Sequence, residues 1–120
     1  MLIRSALNIA DDLSIAHILL FTRSGRLARL AAAYRPNLRI HAFTSEATTL
    51  GTMRILYGIE PHLLSDWSHH EMNLKNSIDF LLQNHVITEN DRIIAITDIS
   101  KNQYEIPVLE IITVHEFLSK

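Results

Sequence analysis

At 120 residues the chain is the length of one domain. With 48% of its residues apolar, it has enough hydrophobic material for a core without staples. Eleven Lys and Arg against 13 Asp and Glu leave a net charge of −2, so no global attraction to nucleic acid or to an anionic membrane is indicated. The absence of cysteine excludes disulfides and thiolate metal sites and is compatible with a reducing compartment. The longest apolar run, 15–21, is interrupted by His17 and is far too short to span a bilayer. Residues 1–12 contain two adjacent acids and no long apolar stretch, so no secretory leader is visible. The expectation is a cytoplasmic, globular protein.

Ile3, Ala6, Leu7, Ala10 and Leu13 recur at helical spacing and predict an opening amphipathic helix. The apolar run 16–21 suits a strand covered on both faces, as in a parallel sheet. A polar turn, Thr22-Arg23-Ser24-Gly25-Arg26, leads into a second helix marked by Leu27, Leu30, Ala31 and Tyr34 and ended by Arg35-Pro36-Asn37. Residues 38–43 read as a second strand. Thr44-Ser45-Glu46 offers a cap and an acid for a helix over about 47–56, with Gly58 as a helix-ending glycine.

Residues 61–64 suit a short third strand, and Leu74, Ile78, Leu81 and Leu82 mark a further helix. The polar connector 88–91 leads into the strand 92–97, and 108–114 suits a last one. Strands alternating with helices at this spacing predict a three-layer α/β/α sandwich in a single domain, with no linker or repeat.

Chemistry concentrates in residues 18–26, where a buried strand enters a turn that opens a helix. In open α/β sheets, ligands sit beyond the carboxyl ends of the strands, where free N–H groups and the positive end of a helix dipole attract an anion. Thr22 and Ser24 supply hydroxyls, Gly25 permits close backbone approach, and Arg23 and Arg26 supply charge. The same residues also admit a plainer reading, in which Thr22 and Ser24 cap the helix and the arginines stay solvated. Neither a Walker loop nor a dinucleotide fingerprint is present.

Ser5-Ala6 through Ala10, Phe21-Thr22-Arg23-Ser24-Gly25-Arg26, Ala28-Arg29 and Tyr34-Arg35-Pro36 resemble the C-terminal domain of pyruvate kinase. Tyr57-Gly58-Ile59 with Pro61 resembles the family's Arg-Gly-Val/Ile-x-Pro segment, and 89–92 its Gly-Asp stretch. The resemblance implies a five-stranded, mostly parallel sheet whose last strand is antiparallel at an edge. It implies a regulatory role, with the phosphate of a sugar phosphate or nucleotide effector held by Thr22, Arg23, Ser24, Gly25 and Arg26. It also implies a homodimer through the last strand and a catalytic barrel as partner, in cis or in trans.

Two departures bear on the ligand. Leu27 stands where the family often has a small hydroxyl residue. The family's second effector loop, usually glycine-rich, here reads Asp98-Ile99-Ser100-Lys101-Asn102-Gln103-Tyr104-Glu105, whose two acids repel a second phosphate and are only partly offset by Lys101. The expected ligand therefore carries one phosphate or is a plain inorganic anion. The pyruvate kinase reaction takes place in a (β/α)8 barrel that needs about 250 residues, so the chain alone is expected to be non-catalytic and without a cofactor. It is then either a stand-alone relative or a piece of a longer kinase.

His69-His70-Glu71, with His62 near, invites a metal reading. Adjacent histidines point apart, however, and the segment is expected to be a solvated helix start with Glu71 complementing the dipole. Ser24-Gly25 lacks the Gly-x-Ser-x-Gly elbow of a hydrolase. His17 and His41 fall in strands and receive no role, and Trp67 is expected to pack on the surface.

Overall fold

The computed structural model describes residues 2–65, 67, 69–101 and 104–119, and for 98–101 and 104–107 the backbone only. The elements in chain order are α1 (Leu2–Leu13), β1 (His17–Phe21), α2 (Arg26–Ala33), β2 (Arg39–Thr44), α3 (Ala47–Met53), β3 (Ile59–Leu63), α4 (His70–Gln83), β4 (Arg92–Lys101), β5 (Tyr104–Thr113) and α5 (Val114–Leu118). One sheet takes the order β3-β2-β1-β4-β5. The first three of these strands and β4 are mutually parallel, and β5 runs antiparallel to β4 at the edge.

Central β1 explains the layering. All five of its residues are buried, so both faces of the strand need a cover. Ile18 and Leu20 join Ile40, Ala42, Ile94 and Ile96 on one face, under Ile3, Ala6 and Ala10 of α1, Leu27, Ala28 and Ala31 of α2 and Met53 of α3. Leu19 and Phe21 join Phe43, Ile93 and Ala95 on the other, under Leu74, Ile78 and Leu81 of α4 and Val114 of α5. The result is the α/β/α sandwich that the alternation predicts.

The elements differ from expectation mainly at their ends. The third helix stops at Met53, so Gly58 does not end it; with φ 73°, Gly58 instead turns the chain into β3. β4 continues to Lys101 and β5 begins at Tyr104. The segment expected as a second effector loop is thus largely a hairpin: 98–101 pairs with 107–104, while Asn102 and Gln103 lie outside the described residues. β1 pairs with β4 only through Thr97, so the hairpin reaches past the carboxyl end of the parallel sheet as a two-stranded arm. The short helix α5 was masked in the sequence by the apolar run feeding it.

Ile78 is fully buried where α4 meets the sheet. The substitution Ile78→Ala is expected to lower the unfolding free energy by about 2–4 kcal/mol in urea titration, against little change for the exposed Lys75→Ala.

Candidate functional site

The strand order places a topological switch between β1 and β4. α2 leads from β1 towards β2 on one face, and α4 leads from β3 across to β4 on the other. The connections therefore diverge at the carboxyl ends of β1 and β4, opening the crevice in which α/β sheets take their ligands. The 22–26 loop forms its wall.

Gly25 is the N-cap of α2 with φ 85°, a left-handed conformation that L side chains avoid. A Cβ there would also stand 3.3 Å from Arg29 Nη1 and from Thr49 Cγ2. The Gly25 N–H donates to Thr22 Oγ1 at 3.0 Å, and the Arg26 N–H donates to Ser24 Oγ at 3.3 Å. Arg29 Nη1 donates to the Ser24 carbonyl at 3.2 Å. The Arg23 carbonyl accepts from Thr49 Oγ1 at 2.7 Å and from Thr44 Oγ1 at 3.5 Å. Thr49 ties the loop to α3, and Thr44 ties it to the end of β2.

The five residues thus divide. Thr22, only 1% exposed, and Gly25 are turned inward, so the Thr22 hydroxyl and the Gly25 N–H shape the loop rather than face solvent. The Gly25 N–H is committed to Thr22 Oγ1, which accepts it and keeps its own hydroxyl hydrogen. Arg23, Ser24 and Arg26 are exposed at the surface of the loop. The first internal bond of α2 runs from Arg29 N–H to Gly25 C=O, so the N–H groups of Leu27 and Ala28 precede the helical ladder.

Across the crevice, Thr97 on β4 bonds His70 Nδ1 at 3.2 Å, and His70 Nε2 contacts the Glu110 carboxylate on β5. Phe21 meets His70 edge-on at 6.4 Å and Trp67 at 6.5 Å. Trp67 is partly exposed and packs against the core cluster beside β1, as expected. His69 caps α4, its Nδ1 accepting the Met72 N–H at 3.4 Å. His69, His70 and Glu71 therefore serve separate purposes.

His62 instead lies with His41 and Glu60 on the sheet face beneath α4. His17 Nδ1 and His41 Nε2 are 3.4 Å apart, as are His41 Nδ1 and His62 Nε2. Glu60 Oε2 is 3.3 Å from His41 Nδ1, and Glu60 Oε1 is 3.4 Å from Arg39. The ring centroids stand 5.5 Å (His17–His41) and 5.6 Å (His41–His62) apart, with the ring planes inclined by 27° and 28°. Burial, helped by His62, His17 and Arg39, pushes the His41 pKa down to about 3. Burial also lowers His17 and His62, against the opposing pull of Asp91 on the former and Glu60 on the latter. Sequence reasoning missed this grouping. Its only signal was the strand alternation that puts residues 41, 60 and 62 on one face once β2–β3 register is known.

The strand order, with helices on both faces and a loop at the switch point, defines a doubly wound α/β domain. The chain belongs to the pyruvate kinase alpha/beta domain family, whose model matches residues 1–112. It is 30% identical over 94 residues to the chloroplastic pyruvate kinase isozyme A of Nicotiana tabacum, covering 78% of this chain and 16% of that protein. It is 26% identical over 98 residues to the pyruvate kinase of Eimeria tenella, covering 82% of this chain and 18% of the relative. A solved Cryptosporidium parvum pyruvate kinase in complex with ADP superposes with a TM-score of 0.82 at 24% identity, covering 92% of this chain and 22% of that one. This chain thus spans under a fifth of the relatives' length, and the match covers the alpha/beta domain and none of the catalytic barrel. No helix among the described residues is long and apolar enough to cross a membrane.

Two outcomes test these local arrangements. Gly25→Ala is expected to destabilise the fold by about 1–2 kcal/mol in chemical denaturation, since the left-handed φ strains any Cβ. Because the His41 pKa is lower folded than unfolded, the unfolded chain binds the extra proton below pH 6.5, and stability falls as the pH drops from there towards 3. Urea titrations at pH 7 and pH 5 are expected to differ by on the order of 2 kcal/mol from this residue, its neighbours His17, His62, Arg39 and Glu60 modulating the slope.

Proposed function

We propose that the chain is a regulatory, non-catalytic domain that binds one phosphate group of a sugar phosphate, a nucleotide or inorganic phosphate at the β1–α2 loop. The observation that carries this reading is the left-handed Gly25 cap, which opens α2 directly at the β1/β4 switch point. That placement aims the N–H groups of Leu27 and Ala28 and the positive end of the helix dipole at the crevice. Ser24 supplies a hydroxyl donor, and the exposed Arg23 and Arg26 side chains neutralise the charge. Thr22 and Gly25 hold the turn in shape. Membership of the pyruvate kinase family supports a catalytic barrel as partner, whether on the same chain or another.

The β4–β5 arm supports the restriction to one phosphate. Its backbone includes Asp98 in β4 and Glu105 in β5, two acids in the segment that corresponds to the family's second effector loop. A ligand with phosphates at both ends is therefore disfavoured by like charge.

A second reading rests on β5. Its ten residues pair with β4 on one side only, leaving the outer backbone edge open in a segment that includes the exposed Ile111. Pairing of two such edges about a two-fold axis closes both, giving a homodimer. Light scattering is expected to give twice the monomer mass at micromolar concentration; a monomer counts against it.

Thermal shift and calorimetry with inorganic phosphate, a sugar monophosphate and a nucleoside monophosphate test the binding site. At least one is expected to stabilise the wild-type chain by mass action. Ser24→Asp is expected to abolish the shift by repulsion, and binding unchanged in that variant would remove the assignment.

A further inference from the structure

The sheet face beneath α4 carries a side-chain group that the phosphate site does not use. His41 on β2 and Glu60 on β3 are directly opposed in register, and His62 follows Glu60 by two residues on the same face. One donor atom from each of the three lies within 4.8 Å of the other two. We propose that His41, Glu60 and His62 form a binding site for a divalent transition-metal ion of the zinc type, clamping the edge strand β3 to β2.

The spacing matches the chemistry. Two ligands about 2.1 Å from zinc at a tetrahedral angle stand roughly 3.4 Å from each other. The separations from His41 Nδ1 are 3.4 Å to His62 Nε2 and 3.3 Å to Glu60 Oε2. Two imidazoles and one carboxylate form a set that suits zinc and its transition-metal neighbours rather than magnesium or calcium, which favour oxygen.

The surroundings supply what such a site needs. A ligating His41 Nδ1 is unprotonated, which puts the ring proton on Nε2, and His17 Nδ1 at 3.4 Å is placed to accept it. Arg39 holds the second Glu60 oxygen at 3.4 Å and leaves Oε2 turned to the histidines. Phe43 stacks on the His62 ring at 5.0 Å, and Phe80 of α4 meets it edge-on at 5.2 Å, fixing its orientation. His41 is fully buried, while Glu60 and His62 are half-buried, so the group is open on its β3 side to an entering ion and to a water as fourth ligand. Burial keeps the histidines neutral, the form in which imidazole binds metal.

The site is separate from the phosphate loop, and its test does not depend on that reading. The full chain is stripped with EDTA, dialysed and titrated with zinc chloride, with binding followed by calorimetry and by thermal unfolding. Zinc is expected to bind at one site per chain and to raise Tm by several degrees, while magnesium chloride leaves Tm unchanged. Glu60→Gln and His62→Gln each replace a half-exposed side chain and are expected to weaken zinc binding at least ~10-fold. His85→Gln, an exposed histidine beyond α4, is expected to leave it unchanged. Wild-type protein loaded with cobalt(II) is expected to show the intense visible absorption of a four-coordinate site. The proposal is overturned by an absent zinc shift, by less than tenfold loss in either variant, or by a cobalt spectrum like that of the hydrated ion.

Discussion

Burial of β1 on both faces is the constraint from which the rest of the molecule follows. A five-residue strand with every side chain inside cannot lie at an edge or against water. It needs parallel neighbours on both sides and helices above and below. The short polar connections then leave and return on opposite faces, which makes the switch point between β1 and β4 unavoidable. The site at the carboxyl end of β1 is a by-product of covering that strand.

The two halves of that crevice are built by different means. On the β1–α2 side, order comes from the backbone. A left-handed glycine, an inward threonine and carbonyl contacts from Thr44 and Thr49 lock a turn that carries Arg23, Ser24 and Arg26 on its exposed side. On the β4 side, order comes from side chains. The chain of contacts from Glu110 through His70 to Thr97 fastens the start of α4 to the last two strands. Interior hydroxyls and imidazoles with partners on both sides suit a rigid frame, because a buried polar group left unpaired is costly.

The histidine group beneath α4 shows how a parallel sheet concentrates chemistry away from its loops. Residues on one face of adjacent strands are brought together by register, however polar they are. Three imidazoles facing one another nitrogen to nitrogen and drawing towards one carboxylate are an unusual content for a sheet interior. Apolar residues in those places would pack more simply, so the polar arrangement matches a role beyond filling space.

Much of the fold was legible in the sequence. The apolar run before Thr22 and the period of Ile3, Ala6 and Ala10 specify their strand and helix locally, and the alternation of such segments specifies the sandwich. The 22–26 turn was equally visible as a strand-to-helix turn, although its residues by themselves suited helix capping as well as anion binding. Three things were decided only by tertiary structure. The inward direction of Thr22 depends on the turn closing on Gly25. The extension of β4 and β5 into a long hairpin depends on pairing between segments whose own composition, rich in Asp, Ser, Lys and Glu, does not read as strand. The meeting of His41, Glu60 and His62 depends on the β2–β3 register, a relation between residues about twenty positions apart that no local pattern encodes. Local sequence fixes what a segment prefers to be, whereas the partners of its side chains are chosen by packing.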